Sequence, residues 1–436
     1  MSLAALVGLV VGLLLVLLAS GLYIGVGLAT IGIILFEFFA DMGATAGHVM
    51  FNSLYSFALA AIPMFLLMGQ IVLHSGLSGR LYRGVSKWTS VLPGGLLHSN
   101  IVSCAIFAAV SGSSPATAAT IGTVAMPEQL SRGYDKAIVT ASLAAGGTLG
   151  ILIPPSINMI VFGAFVGESV GRLFIGGIVP GIILASMFSA YIIVAVLRNG
   201  RLAPSVARVT KRFFWEAFVA WKDVWPMAAI IVVIMGSIYA GLMTPTEAAA
   251  VSVFVALVMA LGFKRLSLRV VRAATKGTMA TCGMVFLVFI GANFLGNGLS
   301  MLRIPRLLFE SVSNLGLSAI QLWIVVVVVY IVLGCLMDTL AMMLITLPVT
   351  YPLLVTFAGF DSVWFGVQLV LLCEMGMITP PVGINLFVIH GIAPDVNMQT
   401  IMRGIVPFFV CMVLALALFT AFPELILYLP NHMIGG

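Results

Sequence analysis

Twice in this chain a long apolar run is interrupted by a Pro-Pro pair: Pro154-Pro155 within Ile138–Phe165, and Pro380-Pro381 within Val367–Ile389. Proline lacks an N–H and clashes with the preceding turn, so neither run can be one unbroken helix. Yet each is as long and apolar as a segment that crosses a bilayer, which takes roughly 20 residues. Backbone freed from helical bonding at that depth is tolerated only where protein buries it or where it lines a polar cavity. Each Pro-Pro run also follows another long apolar run with its own interruption. Leu92–Met126 is broken at Ser111-Gly112-Ser113-Ser114-Pro115, and Ile320–Val355 around Gly334–Asp338.

The remaining apolar runs complete two series of the same order. Leu3–Ala19, Leu22–Phe39 and Phe57–His74 precede the first pair of broken runs, and Leu173–Leu197 follows it. Trp225–Leu242, Ala248–Phe263 and Met279–Leu299 precede the second pair, and Ile405–Leu429 follows it. Local echoes support a duplication: Gly150-Ile151-Leu152-Ile153-Pro154-Pro155 with Asn158 downstream parallels Gly376-Met377-Ile378-Thr379-Pro380-Pro381 with Asn385 downstream. The apolar start has no basic leader segment and runs straight into a second apolar stretch, so it reads as the first span.

Composition removes other classes. With 62% hydrophobic and 8% charged residues and a mean hydropathy of +1.21, the chain cannot cover a water-soluble globule and must be solvated by the lipid bilayer. The basic residues lie between apolar runs and form no stripe, which argues against a nucleic-acid partner. The five cysteines fall in apolar segments without metal-ligand spacing, which argues against a zinc or disulfide framework. The histidines are scattered with no His-Glu-x-x-His unit, and no Gly-x-x-x-x-Gly-Lys-[Ser/Thr] loop occurs, so neither an enzyme nor an ATP-driven pump is expected.

If the two polar-tipped runs are re-entrant hairpins, each half crosses the membrane an odd number of times, and the second half is inverted relative to the first. The expected fold is an all-α integral membrane protein of two inverted-topology repeats, residues 1–198 and 225–436, each with a re-entrant hairpin and a Pro-Pro broken helix. Charge checks the order of sides: of the 20 Lys and Arg residues, only Arg172, Arg303 and Arg306 fall on the second face. The positive-inside rule then places the basic face in the cytoplasm and both termini outside. Residues 199–224 alternate basic and aromatic side chains from Arg208 to Lys222. They read as an amphipathic arm in the headgroup layer or as a connector with interfacial anchors.

Candidate chemistry lies at the interruptions. The first tip offers carbonyls and hydroxyls at Ser111, Ser113, Ser114 and Thr117, and the first break offers Pro154, Pro155, Ser156 and Asn158. The second tip offers Gly334, Asp338 and Thr339, and the second break Thr379, Pro380, Pro381, Gly383 and Asn385. Oxygen ligands at half-helix ends suit Na+, whereas half-helix N-termini suit an anionic group. Asp338 stands out because a carboxylate in an apolar run is costly and functional by default. Glu374 reads equally as a satisfied structural acid. Glu247, in Thr244-Pro245-Thr246-Glu247, reads as a first-turn residue with Thr244 as N-cap.

These residues resemble a known family. Gly241-Leu242-Met243-Thr244-Pro245-Thr246-Glu247-Ala248-Ala249-Ala250, with Ser111-Gly112-Ser113-Ser114-Pro115-Ala116-Thr117, Pro154-Pro155-Ser156 and Pro380-Pro381-Val382-Gly383-Ile384-Asn385, is similar to the large membrane (M) subunit of tripartite ATP-independent periplasmic (TRAP) transporters. The resemblance spans essentially the whole chain. It implies a sodium-driven elevator of the bacterial inner membrane, whose hairpins and broken helices form the mobile part. It also implies a separate small membrane (Q) subunit and a periplasmic substrate-binding (P) protein that delivers a small organic anion. Sodium is expected at Ser111, Ser113, Asn158, Gly334, Asp338, Thr379 and Asn385, partly through backbone carbonyls. Substrate is expected near Ser114, Thr117, Pro154, Pro155, Ser156, Thr339, Pro380, Pro381 and Gly383. Sialic acids and C4-dicarboxylates are both compatible. A stand-alone sodium-coupled di- or tricarboxylate carrier with the same inverted hairpins is the alternative.

Overall fold

The computed structural model describes residues 3–39, 46–204, 211–313 and 316–433, and every regular element among them is helical. Eight helical stretches among the described residues are long and apolar enough to cross a membrane. Most are apolar around their whole circumference, which suits helices surrounded by lipid or by other helices. Ile324, Val325, Val328 and Val332 along one helix, for example, are exposed.

The first half runs through α1 (Leu3–Ser20), α2 (Ile24–Ile34), α3 (Ala46–Leu54), α4 (Ala61–His74) and α5 (Leu77–Thr89). The pair α6 (Leu96–Ser111) and α7 (Ser114–Ser131) follows, then α8 (Lys136–Leu152), α9 (Ile157–Val166) and α10 (Val170–Arg198). The second half runs through α11 (Lys211–Tyr239), α12 (Pro245–Gly262), α13 (Leu268–Met301) and α14 (Ile304–Ser313). Then come α15 (Ala319–Gly334), α16 (Thr339–Tyr351), α17 (Ser362–Met377), α18 (Ile384–Ile392), α19 (Met398–Ala421) and α20 (Glu424–Asn431). Thus α6–α7 and α15–α16 are helical hairpins with tips at the two polar interruptions. The Pro-Pro pairs separate α8 from α9 and α17 from α18.

Local signals set several boundaries. Thr244 and Glu247 form a reciprocal capping box with Pro245 opening α12, and Ser318 with Gln321 does the same for α15. Asp135 caps α8 by accepting from the N–H groups of Ala137 and Ile138.

Packing between the halves is reciprocal. Helix α2 lies along α13, and α12 lies along α4. Helix α9 packs on α16 and α17, while α18 packs on α7 and α8. Each broken helix therefore sends its second segment into the opposite half. Helices α8 and α17 occupy the centre: every residue of α17 from Val363 to Met377 is buried, as is α8 from Ile138 to Leu152.

The boundaries differ from the apolar-run reading in three places. In the 199–224 segment, residues 199–204 form a turn after α10, and the part from Lys211 is not separate from the next span. It is the beginning of α11, which continues through Pro226 to Tyr239; Arg208 lies outside the described residues. The run 279–299 is the later part of α13, which begins at Leu268. The last run divides into α19 and α20 at Phe422-Pro423. Helices α3, α5 and α14 are too polar or too short to register as apolar spans.

Helix α5 fastens the start of α11. Arg80 donates from Nη2 and Nε to Asp223 Oδ1 at 2.8 and 3.0 Å. Trp88 stacks on Trp221 with ring centres 5.7 Å apart, and its Nε1 donates to the Ala217 carbonyl at 2.9 Å. On its other side α5 meets the first hairpin in a buried polar network. Gln129 Nε2 of α7 lies 2.8 Å from Tyr82 Oη, 3.1 Å from the Leu96 carbonyl oxygen and 2.5 Å from Asn100 Oδ1, so its two N–H groups are shared among three acceptors. Asn100 Nδ2 donates in turn to Gln129 Oε1 and to Ser142 Oγ of α8.

Candidate functional site

The first tip is a two-residue reversal. Gly112 takes a left-handed conformation (φ 59°) that ends α6, and Ser113 is the extended N-cap of α7, with Pro115 in the first turn. Ser111 Oγ lies 2.6 Å from Thr117 Oγ1, tying the two arms together beside the tip. The tip rests on the first break: a Cβ built on Gly112 would lie 3.4 Å from the Pro155 carbonyl oxygen. A Cβ on Gly150 would lie 2.9 Å from both the Ser113 carbonyl oxygen and Ser114 Cα.

The second tip and break meet more closely still. A Cβ on Gly376 would lie 2.6 Å from Gly334 Cα, so only glycine on both sides allows this approach of α17 to the end of α15. Cys335 Sγ sits 3.3 Å from the Pro380 carbonyl oxygen. Asp338 is the N-cap of α16 and accepts from the Leu340 N–H at 3.1 Å. Gly150 and Gly376 hold the same place four residues before the first proline of their pairs, and each abuts the hairpin tip of its own half. Both Pro-Pro bonds are cis.

Four half-helices begin in this region, at Ser114, Ile157, Thr339 and Ile384, and four end there, at Ser111, Leu152, Gly334 and Met377. Their free N–H and C=O groups give the site positive and negative backbone ends without any basic side chain. Ser156 caps α9 by accepting from the Met159 N–H at 3.4 Å, and Gly383, in a left-handed conformation (φ 53°), opens α18.

Burial is uneven among these residues. Ser114, Thr117, Pro154, Pro155, Ser156, Asn158, Thr339, Gly383 and Asn385 are buried, whereas Pro380 and Pro381 are exposed. Asp338 is half-buried at the rim of two cavities. One of about 580 Å³ is bounded by Tyr23, Gly25, Met279, Gly283 and Leu340; the other, of about 290 Å³, is bounded by Leu22, Met337, Val382 and Ile384. Thr379 Oγ1 donates back to the Met375 carbonyl at 2.6 Å, as serines and threonines in apolar helices commonly do.

The structure joins some predicted residues across the halves. Asn385 Nδ2 donates to Ser114 Oγ at 2.9 Å and to the Ala144 carbonyl at 3.3 Å, so Asn385 belongs beside the first hairpin although it follows the second break. Ser114 Oγ also lies 2.8 Å from Glu374 Oε2 and from the Gly147 carbonyl oxygen. Asn385 Oδ1, Glu374 Oε1 and Asn158 Nδ2 are buried without a hydrogen-bond partner. Glu374 is thus part of the central cluster, and its position inside an apolar run immediately before a break was the signal for it. The Gln129 network had no comparable signal, because its members lie on four successive helices, α5 to α8, and meet only once these pack.

The site's donor set is hydroxyl, amide, carboxylate and carbonyl oxygen. Among the described residues no group of three or more His, Cys, Asp or Glu side chains could hold a metal ion.

An apolar helical body enclosing two hairpins and two broken helices around a buried polar cluster defines a membrane transport protein. The family described as tripartite ATP-independent periplasmic transporter, DctM component, matches residues 11–425, and this chain belongs to it. The chain is 33% identical to the C4-dicarboxylate TRAP transporter large permease protein DctM of Vibrio cholerae, covering 100% of this chain and 99% of the relative. It is 32% identical to the ectoine TRAP transporter large permease protein TeaC of Halomonas elongata, covering 95% and 96%. It is also 32% identical to the isethionate TRAP transporter permease protein DctMQ of Oleidesulfovibrio alaskensis, where the match covers 92% of this chain and 62% of the relative. Among solved structures, the YdaH transporter of Alcanivorax borkumensis superposes with a TM-score of 0.62 at 16% identity, covering 89% of this chain and 91% of that one, a likeness of fold. The protein is therefore a large permease component of a tripartite transporter and a multi-pass membrane protein of a bacterial transporter family.

Proposed function

We propose that this permease couples a sodium gradient to the import of a small organic anion across the bacterial inner membrane. A periplasmic binding protein delivers the anion, and a separate small membrane subunit braces the permease. The observation that carries the reading is the reciprocal packing at the centre. Each hairpin tip rests on the break of its own half, and each broken helix continues into the opposite half. The pairings α2 with α13 and α12 with α4, and α9 with α16 and α18 with α7, are the ones that would exchange if each element of the first half corresponds to its counterpart in the second. That pattern supports two inverted repeats, 1–198 and 225–436, with both termini periplasmic.

In this reading Na+ is a co-substrate. The oxygens of Ser111, Ser113, Gly334, Asp338, Thr379 and Asn385 are its candidate ligands, with the orphaned Asn385 Oδ1 supporting the choice. Asn158 presents its unpaired amide nitrogen beside the first break and serves better as a donor to the anion. Half-helix N-termini at Ser114, Ser156, Thr339 and Gly383 would hold the anionic group, since no Lys or Arg stands among these elements. Of the two compatible substrate classes, the relatives' names favour C4-dicarboxylates over sialic acids. Movement is of the elevator type: hairpins and broken helices travel together against α2, α4, α12 and α13, with α5 as the strap to α11.

The test is uptake in proteoliposomes holding this chain, its small subunit and the loaded binding protein. Uptake should need sodium and no ATP, and replacing sodium with potassium should abolish it. Undiminished uptake in potassium overturns the coupling, and uptake by this chain alone favours the stand-alone carrier. Cysteine cross-links from α6 or α15 to α2 or α13 should arrest transport; full turnover in their presence replaces the elevator with local gating.

A further inference from the structure

We infer that Glu374 works as a neutral carboxylic acid, its proton lying between Oε2 and Ser114 Oγ, and that this hydrogen bond clasps the first hairpin to the second broken helix. The inference concerns how the central cluster is held together, and it rests on the reading of hairpins and broken helices as one transport core. It follows from counting protons. Ser114 Oγ is fully buried and has three polar neighbours: the Gly147 carbonyl oxygen at 2.8 Å, Glu374 Oε2 at 2.8 Å and Asn385 Nδ2 at 2.9 Å. A hydroxyl has one proton to give and two lone pairs to fill.

The orientation of Asn385 is settled by its second contact. The same nitrogen lies 3.3 Å from the Ala144 carbonyl, which only accepts, so the amide N–H2 group faces both and fills one lone pair of Ser114. Were Glu374 ionised, the Gly147 carbonyl and the carboxylate would compete for the single hydroxyl proton. The loser would sit 2.8 Å from another oxygen with no proton between them. A proton on Glu374 removes the conflict: Glu374 donates to Ser114, Ser114 donates to Gly147, and every lone pair and proton of the hydroxyl is used.

The surroundings agree. Glu374 is fully buried in the middle of α17, and no Lys, Arg or His pairs with it among the described ion pairs. The titratable groups that feel its charge are Cys373, its neighbour on α17, and Asp338 at the second tip, neither of them basic. An ionised carboxylate here would have no basic side chain among the described residues to pair with, whereas the neutral acid leaves only one unpaired carbonyl oxygen, Oε1. A neutral clasp also lets the two halves of the core travel across the membrane together without carrying a bare charge.

The experiment uses the assembled transporter in proteoliposomes. Glu374→Gln keeps the shape, the neutrality and a donor toward Ser114. It should retain transport and sodium affinity within about twofold, while Glu374→Ala and Ser114→Ala should each lose at least tenfold in rate. The infrared spectrum of Glu374→Gln should lack a protonated-carboxyl C=O band present in the parent, and Ser114→Ala should shift that band. The proposal is overturned if Glu374→Gln loses transport as fully as Glu374→Ala. It is equally overturned if no protonated-carboxyl band disappears, or if sodium affinity falls with the glutamine, which would make Glu374 an ionised cation ligand through Oε1.

Discussion

The contact between Gly334 and Gly376 offers a sharp test of how the second half of the site is held. In Gly376→Ala the new methyl would lie 2.6 Å from Gly334 Cα, 3.1 Å from its carbonyl carbon and 3.2 Å from its carbonyl oxygen. Carbon atoms in contact settle at about 3.5–4.0 Å, so the end of α15 must retreat by about 1 Å. Backbone atoms cannot swing aside as a flexible side chain does, and such overpacking costs about 1–3 kcal/mol. Against this, replacing a helical glycine by alanine contributes up to about 1 kcal/mol in favour of the helix. The folded protein should therefore survive with a small loss of stability. The proposed sodium site should not, because the Gly334 carbonyl, a candidate ligand, would shift by about 1 Å, well beyond the roughly 0.2 Å spread expected of coordination distances. Sodium-dependent uptake in proteoliposomes should drop by an order of magnitude or more, with a raised half-saturating sodium concentration. Gly391→Ala, on α18 of the same broken helix, is the control: nothing lies within 4 Å of its new Cβ, and it should transport normally. Wild-type uptake and sodium dependence in Gly376→Ala would show that the tip-to-break contact does not set the site, and the argument from close approach would fail.

Three further outcomes are expected. Asp338→Ala should weaken the sodium dependence of uptake and leave the assembled subunit folded by size-exclusion chromatography; unchanged sodium affinity would reduce Asp338 to the N-cap of α16. Gln129→Ala should lower thermal stability by about 1–3 kcal/mol for each buried partner left unsatisfied, with Tyr82 and Asn100 the first affected; an unshifted melting temperature would mean that water replaces the amide. A double-mutant cycle of Arg80→Ala and Asp223→Ala should return a coupling energy of about 1 kcal/mol for this partly buried pair, and purely additive effects would leave the Trp88–Trp221 stack as the main fastening between α5 and α11.

The sequence alone determined that the protein is helical and lives in lipid, because apolar runs of spanning length leave no other way to satisfy the backbone. It also determined where the helices break, since Pro-Pro and the glycine- and serine-rich tips are local steric facts. Family membership was legible for the same reason: motifs such as 380–385 and 241–250 are contiguous. Amphipathic α5 is not legible as an apolar run because its polar face interrupts it, and the continuity of α11 across Pro226 is hidden by the basic and aromatic residues at its start. What only the tertiary structure decided is which halves of the broken helices meet. The sequence set Asn385 beside its own break, and folding carried it to Ser114 and Ala144 of the first half. Likewise Glu374 was an isolated acid in an apolar run until α17 packed against α8 and α9 and brought it within 2.8 Å of Ser114. Periodicity and proline act over a few residues and can be read from the chain. A hydrogen bond between residues 260 positions apart exists only once helices have packed, and its partners follow from that packing.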